Sequence, residues 1–247
     1  MTTRRRHPLL IGHRGAAARA PESTDASIRR ALALGVHMIE LDVQLTADHR
    51  VVIFHDDRLD RTTDGRGRLS RWDYPRLARL DAGSWFSPAF AGESILLMSQ
   101  ALQLIRPPCR INLELKRTSR PPLLIDRFVR CLRRTRSVSR VLASSFEPSL
   151  LTRLKRADAH VARALLCMRD PFDALAQAVQ LSCVALHPHS SLVTPPLVDA
   201  VHAAGLRLHV WTVDRLREAR RLLEMGVDGI VTNAPDRLAP AFRGFHA

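Results

Sequence analysis

Two histidines, three carboxylates and two cations are spaced so that chemistry on an anionic ester is within reach. Glu40 and Asp42 stand two residues apart in the stretch MIELDV. Side chains alternate along a strand, so both point to one face. Two carboxylates aimed into one cavity repel each other unless a cation lies between them. Glu114, in INLELK, offers a third acidic side chain. Three carboxylates with no His or Cys partner suit one hard divalent ion, Mg²⁺ or Ca²⁺. The same spacing also fits solvated charges at strand ends, or Glu40 paired with a nearby arginine.

His13 and His55 are read as ending neighbouring strands. Histidine titrates near neutral pH, so two of them can serve as acid and base around one phosphate. Buried histidines bonded to backbone are the bland alternative. Each is followed by a charged residue, Arg14 and Asp56, which speaks against purely apolar burial. Arg14 has the fork geometry for a phosphate. Lys116 lies two residues beyond Glu114 and should share its face. A metal, an arginine and a lysine together stabilise charge developing on phosphoryl oxygens. Trp211 follows a late apolar run and fits either a substrate-contacting wall or a packed rim aromatic. Thr232 and Asn233 fit a helix cap, or a place in the pocket.

Strands must carry these groups. Leu9 to Ile11 is a short apolar run that leads into Gly12-His13. Ser23 to Leu34 reads as a helix, with Ser23, Thr24 or Asp25 as cap and Gly35 as stop. His37 to Val43 and Val51 to His55 read as strands. From Asp56 to about Gly92 the chain is polar, turn-rich and irregular, as functional insertions often are. Alternation then resumes. Strands are expected at Ile111 to Leu115, Val138 to Ser144, Val161 to Leu166, Cys183 to Leu186, Leu206 to Trp211 and Gly229 to Val231. Helices are expected at about Pro122 to Thr135, Pro148 to Arg156, Pro171 to Gln180, Pro195 to Ala204 and Arg215 to Met225. Strand and helix repeated about eight times predicts an α/β fold, a (β/α)8 TIM barrel with a small insertion after an early strand. An open parallel sheet is the other arrangement, but neither GxGxxG nor a Walker signature is present to support it. Barrel enzymes carry their chemistry at the C-terminal ends of strands, where most of these residues fall.

Composition sets outer bounds. The chain has 247 residues, the size of one barrel, and is read as a single domain over 1–247. Its formal charge is +14, from 38 basic and 24 acidic residues. Only Lys116 and Lys155 are lysines, a skew that a GC-rich genome gives without functional demand. The arginines are spread along the chain, densest at Arg4 to Arg6 and from Arg127 to Arg140. The charge therefore argues for attraction of small anionic substrates rather than for nucleic acid. Cys109, Cys131, Cys167 and Cys183 form no CxxC pair, which argues against a zinc cluster and for buried, reduced thiols. The apolar start is too short for a secretory signal, and no stretch approaches the ~20 residues needed to span a bilayer. The expected setting is the cytoplasm, without stable membrane insertion. Association into a homo-oligomer stays open.

Taken in order, IGHRG, APEST, MIELDVQLTADHRVVIFHDDRLDRTTDGRG, INLELK, SSFEPSLL, HVWTVD and GVDGIVTNAPD resemble the glycerophosphodiester phosphodiesterase family. The match runs from about residue 9 to residue 238. DAGSWFSPAFAGE and LHPHSSL further resemble its bacterial cytoplasmic members linked to glycerol-3-phosphate uptake. The resemblance implies hydrolysis of glycerophosphodiesters, such as glycerophosphocholine and glycerophosphoethanolamine, to sn-glycerol 3-phosphate and an alcohol. It implies a divalent metal on Glu40, Asp42 and Glu114, acid–base roles for His13 and His55, and Arg14 and Lys116 near the phosphate. It also implies an insertion at about 57–95 that covers the barrel mouth. Two motifs depart from the family. Its usual Pro-Glu-Asn-Thr is Pro21-Glu22-Ser23-Thr24 here, and its usual Pro-Thr-Leu is Leu96-Leu97-Met98.

Three rivals remain at this stage. One is a phosphodiesterase acting on membrane lipid, with Trp72, Trp85 and Phe86 as a weak interfacial patch. Another is a non-catalytic anion-binding protein that keeps the pocket. The third is nucleic-acid binding through the arginines, which would weaken steeply with salt.

Overall fold

Short runs rich in Leu, Ile and Val alternate with amphipathic stretches, and the chain folds in that order. The computed structural model describes residues 7–242. The basic run Arg4–Arg6 lies outside the described residues. Along the chain come β1 (Leu9–His13), α1 (Asp25–Ala33), β2 (Met38–Leu45), β3 (Val51–Ile53), α2 (Tyr74–Leu77), α3 (Met98–Leu104), β4 (Arg110–Leu115) and α4 (Pro121–Arg134). They are followed by β5 (Val141–Ser145), α5 (Pro148–Ala157), β6 (Ala162–Cys167), α6 (Pro171–Gln180), β7 (Ala185–Pro188), α7 (Pro195–Ala203), β8 (Arg207–Val210), α8 (Leu216–Met225), β9 (Gly229–Thr232) and α9 (Pro235–Phe242). Helices α4 to α7 each start with proline in the first turn, where its missing N–H leaves no bond unmade. Helix α4 buries Leu124, Ile125, Phe128, Val129 and Leu132, the 3–4 spacing of a single face.

Eight of the strands pair in parallel in the order β1-β2-β4-β5-β6-β7-β8-β9, and β9 returns to β1. The sheet is thereby a closed (β/α)8 barrel, as the alternation predicts. Along β2 the residues Ile39, Leu41, Val43 and Leu45 join the core between strands and helices. The alternate face carries Glu40, Asp42 and Gln44, all buried.

Strand β3 departs from the expected pattern. It pairs antiparallel with the end of β2, Val43 opposite Ile53 and Leu45 opposite Val51, and is not a barrel stave. His55 therefore does not end a strand next to that of His13; it lies two residues past a short hairpin arm. That pairing also carries β2 on to Leu45, beyond the expected end at Val43. Residues Val138–Arg140, expected in a strand, form a 3₁₀ turn ahead of β5. Helix α9 follows the Thr232–Asn233 pair, where a helix cap but no helix range is expected from the sequence.

The irregular segment after β3 holds α2 and two 3₁₀ turns, and it builds a small core from Val52, Phe54, Leu59, Leu69, Leu77, Ala82 and Ile95. Trp72 packs against this core under Arg76, and Phe86 sits edge-on between Trp85 and Phe90. Of the three aromatics considered for an interfacial patch, only Trp85 is exposed. All four cysteines are free; Cys109, Cys167 and Cys183 are buried and Cys131 is partly so. Burial pushes the thiols of the first three up to about 11, which keeps them protonated. Among the described residues no helix is long and apolar enough to cross a membrane.

One tight turn sets the start of the site. Arg14 (φ +50°) and Gly15 (φ +89°) follow β1 in left-handed conformations. Ser27 of α1 pins them: its Oγ donates to the Arg14 carbonyl at 2.8 Å and accepts from Ala16 N–H at 2.9 Å. A Cβ on Gly15 would stand 2.4 Å from Ser27 Oγ and 2.7 Å from Ser27 C. Gly15→Ala should therefore destabilise the protein by about 1–3 kcal/mol in urea unfolding, from left-handed strain and displacement of α1. An unchanged unfolding midpoint would show that α1 moves aside at no cost.

Candidate active site

Strand register places most of the polar groups. His13 of β1 lies opposite Glu40 of β2, and Asp42 of β2 lies opposite Glu114 of β4. Because Glu40 and Asp42 share a face, the three carboxylates converge. One oxygen from each lies within 4.8 Å of the others, a group that could hold a metal ion. Glu40 and Asp42 are buried and Glu114 half-buried. Burial, then the charges of Asp42 and Glu114, push the Glu40 carboxyl well above its usual range. Burial and Asp42 raise Glu114 to about 7, with Lys116 pulling the other way.

The neighbouring cations answer this charge only in part. Lys116 Nζ is 2.8 Å from Glu114 Oε1 and 3.4 Å from Asp42 Oδ1. Arg14 Nε is 3.5 Å from Asp42 Oδ2, an oxygen that is buried and has no hydrogen-bond partner among the described residues. Arg14 donates to Glu40 through its backbone N–H, at 3.1 Å to Oε2. The Arg14 side chain bonds Glu22 Oε1 at 2.9 Å. Glu40 is thus not simply the partner of an arginine. Oxygen donors, an orphaned carboxylate oxygen and excess negative charge together fit a hard divalent cation.

The two imidazoles are each anchored through Nδ1. His13 Nδ1 is 2.7 Å from Asn233 Oδ1, and His13 Nε2 is 3.8 Å from Glu40 Oε2. Its side chain keeps 17 % of its surface accessible, enough for Nε2 to meet a ligand. Burial, then the Arg14 charge, lower the His13 ring to about 4, so it is neutral at physiological pH. His55 Nδ1 is 2.6 Å from Asp56 Oδ1. Gln44, the next residue on the Glu40–Asp42 face, holds this segment. Its Nε2 faces the carbonyls of Phe54, His55 and Asp56 at 3.0, 3.0 and 2.8 Å.

Arg61, from the irregular segment, ties the two histidine turns together. Its Nε and Nη2 donate to Asp56 at 2.7 and 3.0 Å, and its Nη1 and Nη2 donate to Glu22 at 2.9 and 2.7 Å. The Arg61 hydrogen bonds hold Asp56 down at about 2, against burial and with help from His55. Glu22 also accepts from Arg14, so one ion-pair chain runs from His55 to the turn after β1.

His13, Arg14, His55, Lys116, Phe146 and Trp211 line a cavity of about 130 Å³, with Glu40 and Glu114 at its wall. Trp211 Nε1 donates to the His187 carbonyl at 2.7 Å, and its ring meets Phe146 edge-on at 5.5 Å. It is both a packed aromatic and part of the wall. Thr232 Oγ1 accepts from Ala234 N–H two residues on, at 3.1 Å, but the residue that opens α9 is Ala234, whose carbonyl accepts from Arg237 and Leu238, so the pair read as a helix cap does not cap it, and Asn233 reaches His13 instead. The sequence reading gave no role to Gln44, Glu22, Arg61, Asp214, Phe146 or His187. Gln44 continues the alternation of Glu40 and Asp42, a signal that was available. Arg61, one arginine among many, carried none.

Residues 13–237 match the family model described as the glycerophosphoryl diester phosphodiesterase family. A glycerophosphodiester phosphodiesterase of Caldanaerobacter subterraneus subsp. tengcongensis is 34 % identical over 232 residues, covering 93 % of this chain and 96 % of that one. A glycerophosphodiester phosphodiesterase of Bacillus altitudinis is 32 % identical over 233 residues, 92 % of this chain and 95 % of that one. Among solved structures, a phosphodiesterase of Oleispira antarctica in complex with the product sn-glycerol-3-phosphate superposes with a TM-score of 0.90 at 32 % identity, covering 95 % of this chain and 96 % of that one.

The raised carboxyls give a pH-dependent test. A carboxyl whose pKa is higher folded than unfolded favours the fold while protonated, and that contribution is lost as pH rises through the folded value. Metal-free protein should therefore lose the Glu114 contribution as pH passes about 7. A divalent cation held by these carboxylates would replace the protons, and Mg²⁺ or Ca²⁺ should then raise Tm more at about pH 8 than at about pH 5.5. Equal shifts at both pH values in a thermal melt would mean that these carboxylates do not take the ion.

Proposed function

The chain belongs to the glycerophosphoryl diester phosphodiesterase family and is an enzyme of that activity, and we propose that it hydrolyses water-soluble glycerophosphodiesters to sn-glycerol 3-phosphate and an alcohol with one divalent cation bound. Glycerophosphocholine and glycerophosphoethanolamine are the substrates we put first. The observation that carries the proposal is the convergence of three carboxylate oxygens within 4.8 Å beside two Nδ1-anchored imidazoles in one cavity.

Glu40, Asp42 and Glu114 would hold the cation, Mg²⁺ or Ca²⁺, which when bound polarises phosphoryl oxygen and offsets the charge that builds on it. Arg14 and Lys116 stand beside these carboxylates and take the remaining phosphate charge, Arg14 through its guanidinium and Lys116 as a point charge. His13 is neutral and presents Nε2, so it accepts the proton of the attacking oxygen, either water's or the substrate's own glycerol hydroxyl, in which case the cyclic phosphate formed is opened by water in a second step to give sn-glycerol 3-phosphate. The phosphorus–oxygen bond to the alcohol breaks, and His55, backed by ionised Asp56, gives that oxygen a proton. Phe146 and Trp211 form an apolar wall for the carbon skeleton. Free, protonated cysteines accord with a cytoplasmic setting.

Release of sn-glycerol 3-phosphate from glycerophosphocholine tests this directly. Turnover should vanish with chelator and return with Mg²⁺ or Ca²⁺. His13→Ala and His55→Ala should each lower kcat by about 10²–10⁴, the range for lost acid–base catalysis. Full turnover by either folded variant would remove that residue from the mechanism, and binding without turnover in the parent would remove the mechanism itself.

A further inference from the structure

Asp214 follows β8 and Asn233 follows β9, at the ends of adjacent strands. Asp214 Oδ1 accepts from Thr232 Oγ1 and from the Asn233 backbone N–H, both at 2.8 Å. Its Oδ2 accepts from Asn233 Nδ2, also at 2.8 Å. Burial pushes the Asp214 carboxyl up, but the hydrogen bonds from Asn233 and Thr232 outweigh it and hold the group below its usual range. An ionised carboxylate can only accept. The Asn233 amide therefore has a single compatible orientation, with NH₂ toward Asp214 and oxygen toward His13. An amide oxygen also only accepts, so the 2.7 Å contact requires the hydrogen of His13 to sit on Nδ1. The lone pair is then on Nε2, the nitrogen that lies 3.8 Å from Glu40.

We propose that Asp214 and Asn233 are positioning residues that fix the His13 tautomer through a two-step hydrogen-bond chain, and so make His13 rather than His55 the base. This rests on the proposed proton-accepting role of His13. Both imidazoles turn an Nδ1–H to an acceptor and differ in what that acceptor is. A neutral amide backs His13 and supplies no counter-charge, so the ring that burial and Arg14 keep neutral is ready to accept a proton. A carboxylate backs His55, which supplies a counter-charge to a ring that carries the proton to be given away.

Asp214→Asn is nearly isosteric but reverses the chain. The new amide must donate to Asn233, whose oxygen turns toward it and whose NH₂ turns toward His13. The ring then carries its hydrogen on Nε2 and loses the lone pair that meets the attacking oxygen. The metal-loaded variant should lose about a hundredfold or more in kcat while KM stays within about threefold, the split expected when a transition-state interaction is lost. Nitrogen-15 NMR of histidine-labelled parent protein reads the tautomer without any variant. It should show His13 protonated at Nδ1 in the parent and at Nε2 in Asp214→Asn. An Nε2–H ring in a parent that hydrolyses substrate would overturn the inference, as would near-parental kcat in Asp214→Asn. A parent that releases no sn-glycerol 3-phosphate would instead count against the functional reading, and its spectrum would still decide the tautomer.

Discussion

Three carboxylates are forced together by strand register, and the rest of the site answers their repulsion. The pairing of β2 with β4 sets Asp42 against Glu114, and the two-residue period of β2 brings Glu40 to the same side. A one-residue slip would turn all of β2 over, exchanging Glu40 and Asp42 for Ile39, Leu41 and Val43. The apolar face thus defends the acidic one, because the slip would expose leucine and isoleucine to the barrel interior and bury charge among the helices. Burying unpaired carboxylates costs several kcal/mol each in order of magnitude. Arg14 and Lys116 reduce that cost but leave an orphaned oxygen on Asp42 and a Glu114 that titrates near 7. An anionic phosphate would be drawn to the same cations, so metal and substrate would share one electrostatic balance.

His55 is positioned by other means. The barrel offers it no stave, since β3 turns back antiparallel against β2. Side chains replace register here. Gln44 holds the His55 backbone, Asp56 holds its ring, and Arg61 ties Asp56 to Glu22 and through it to Arg14. Arg61 belongs to the segment with its own small core, so that segment helps to hold the site together. The two histidines are therefore supported differently, one by the barrel wall and one by an ion-pair chain laid across it.

The barrel was legible because parallel strands buried on both faces read as short apolar runs, and because proline and glycine mark the helix ends. Glu40, Asp42, Glu114, His13, Arg14 and Lys116 were legible as neighbours for the same reason: period and strand order bring them together. What failed was tied to topology. Val51 to His55 looks like any other strand, and nothing local says that it pairs antiparallel. Helix α9 was passed over although Thr232 and Asn233 were noted as a cap. The links from Arg61 to Glu22 and from Asn233 to His13 span 39 and 220 residues, and no local pattern encodes contacts of that range. Asn233 was visible as a polar residue at a strand end; its service to His13 required the closure of β9 on β1.

The account stands on one cation lying among Glu40, Asp42 and Glu114. A crystal structure of the protein grown with Ca²⁺ tests this most directly. It should show one ion bonded to an oxygen of each of the three residues at about 2.3–2.6 Å, with Lys116 shifted off Glu114. Density elsewhere, or the three carboxylates held by Arg14 and Lys116 with no ion among them at saturating Ca²⁺, would contradict it.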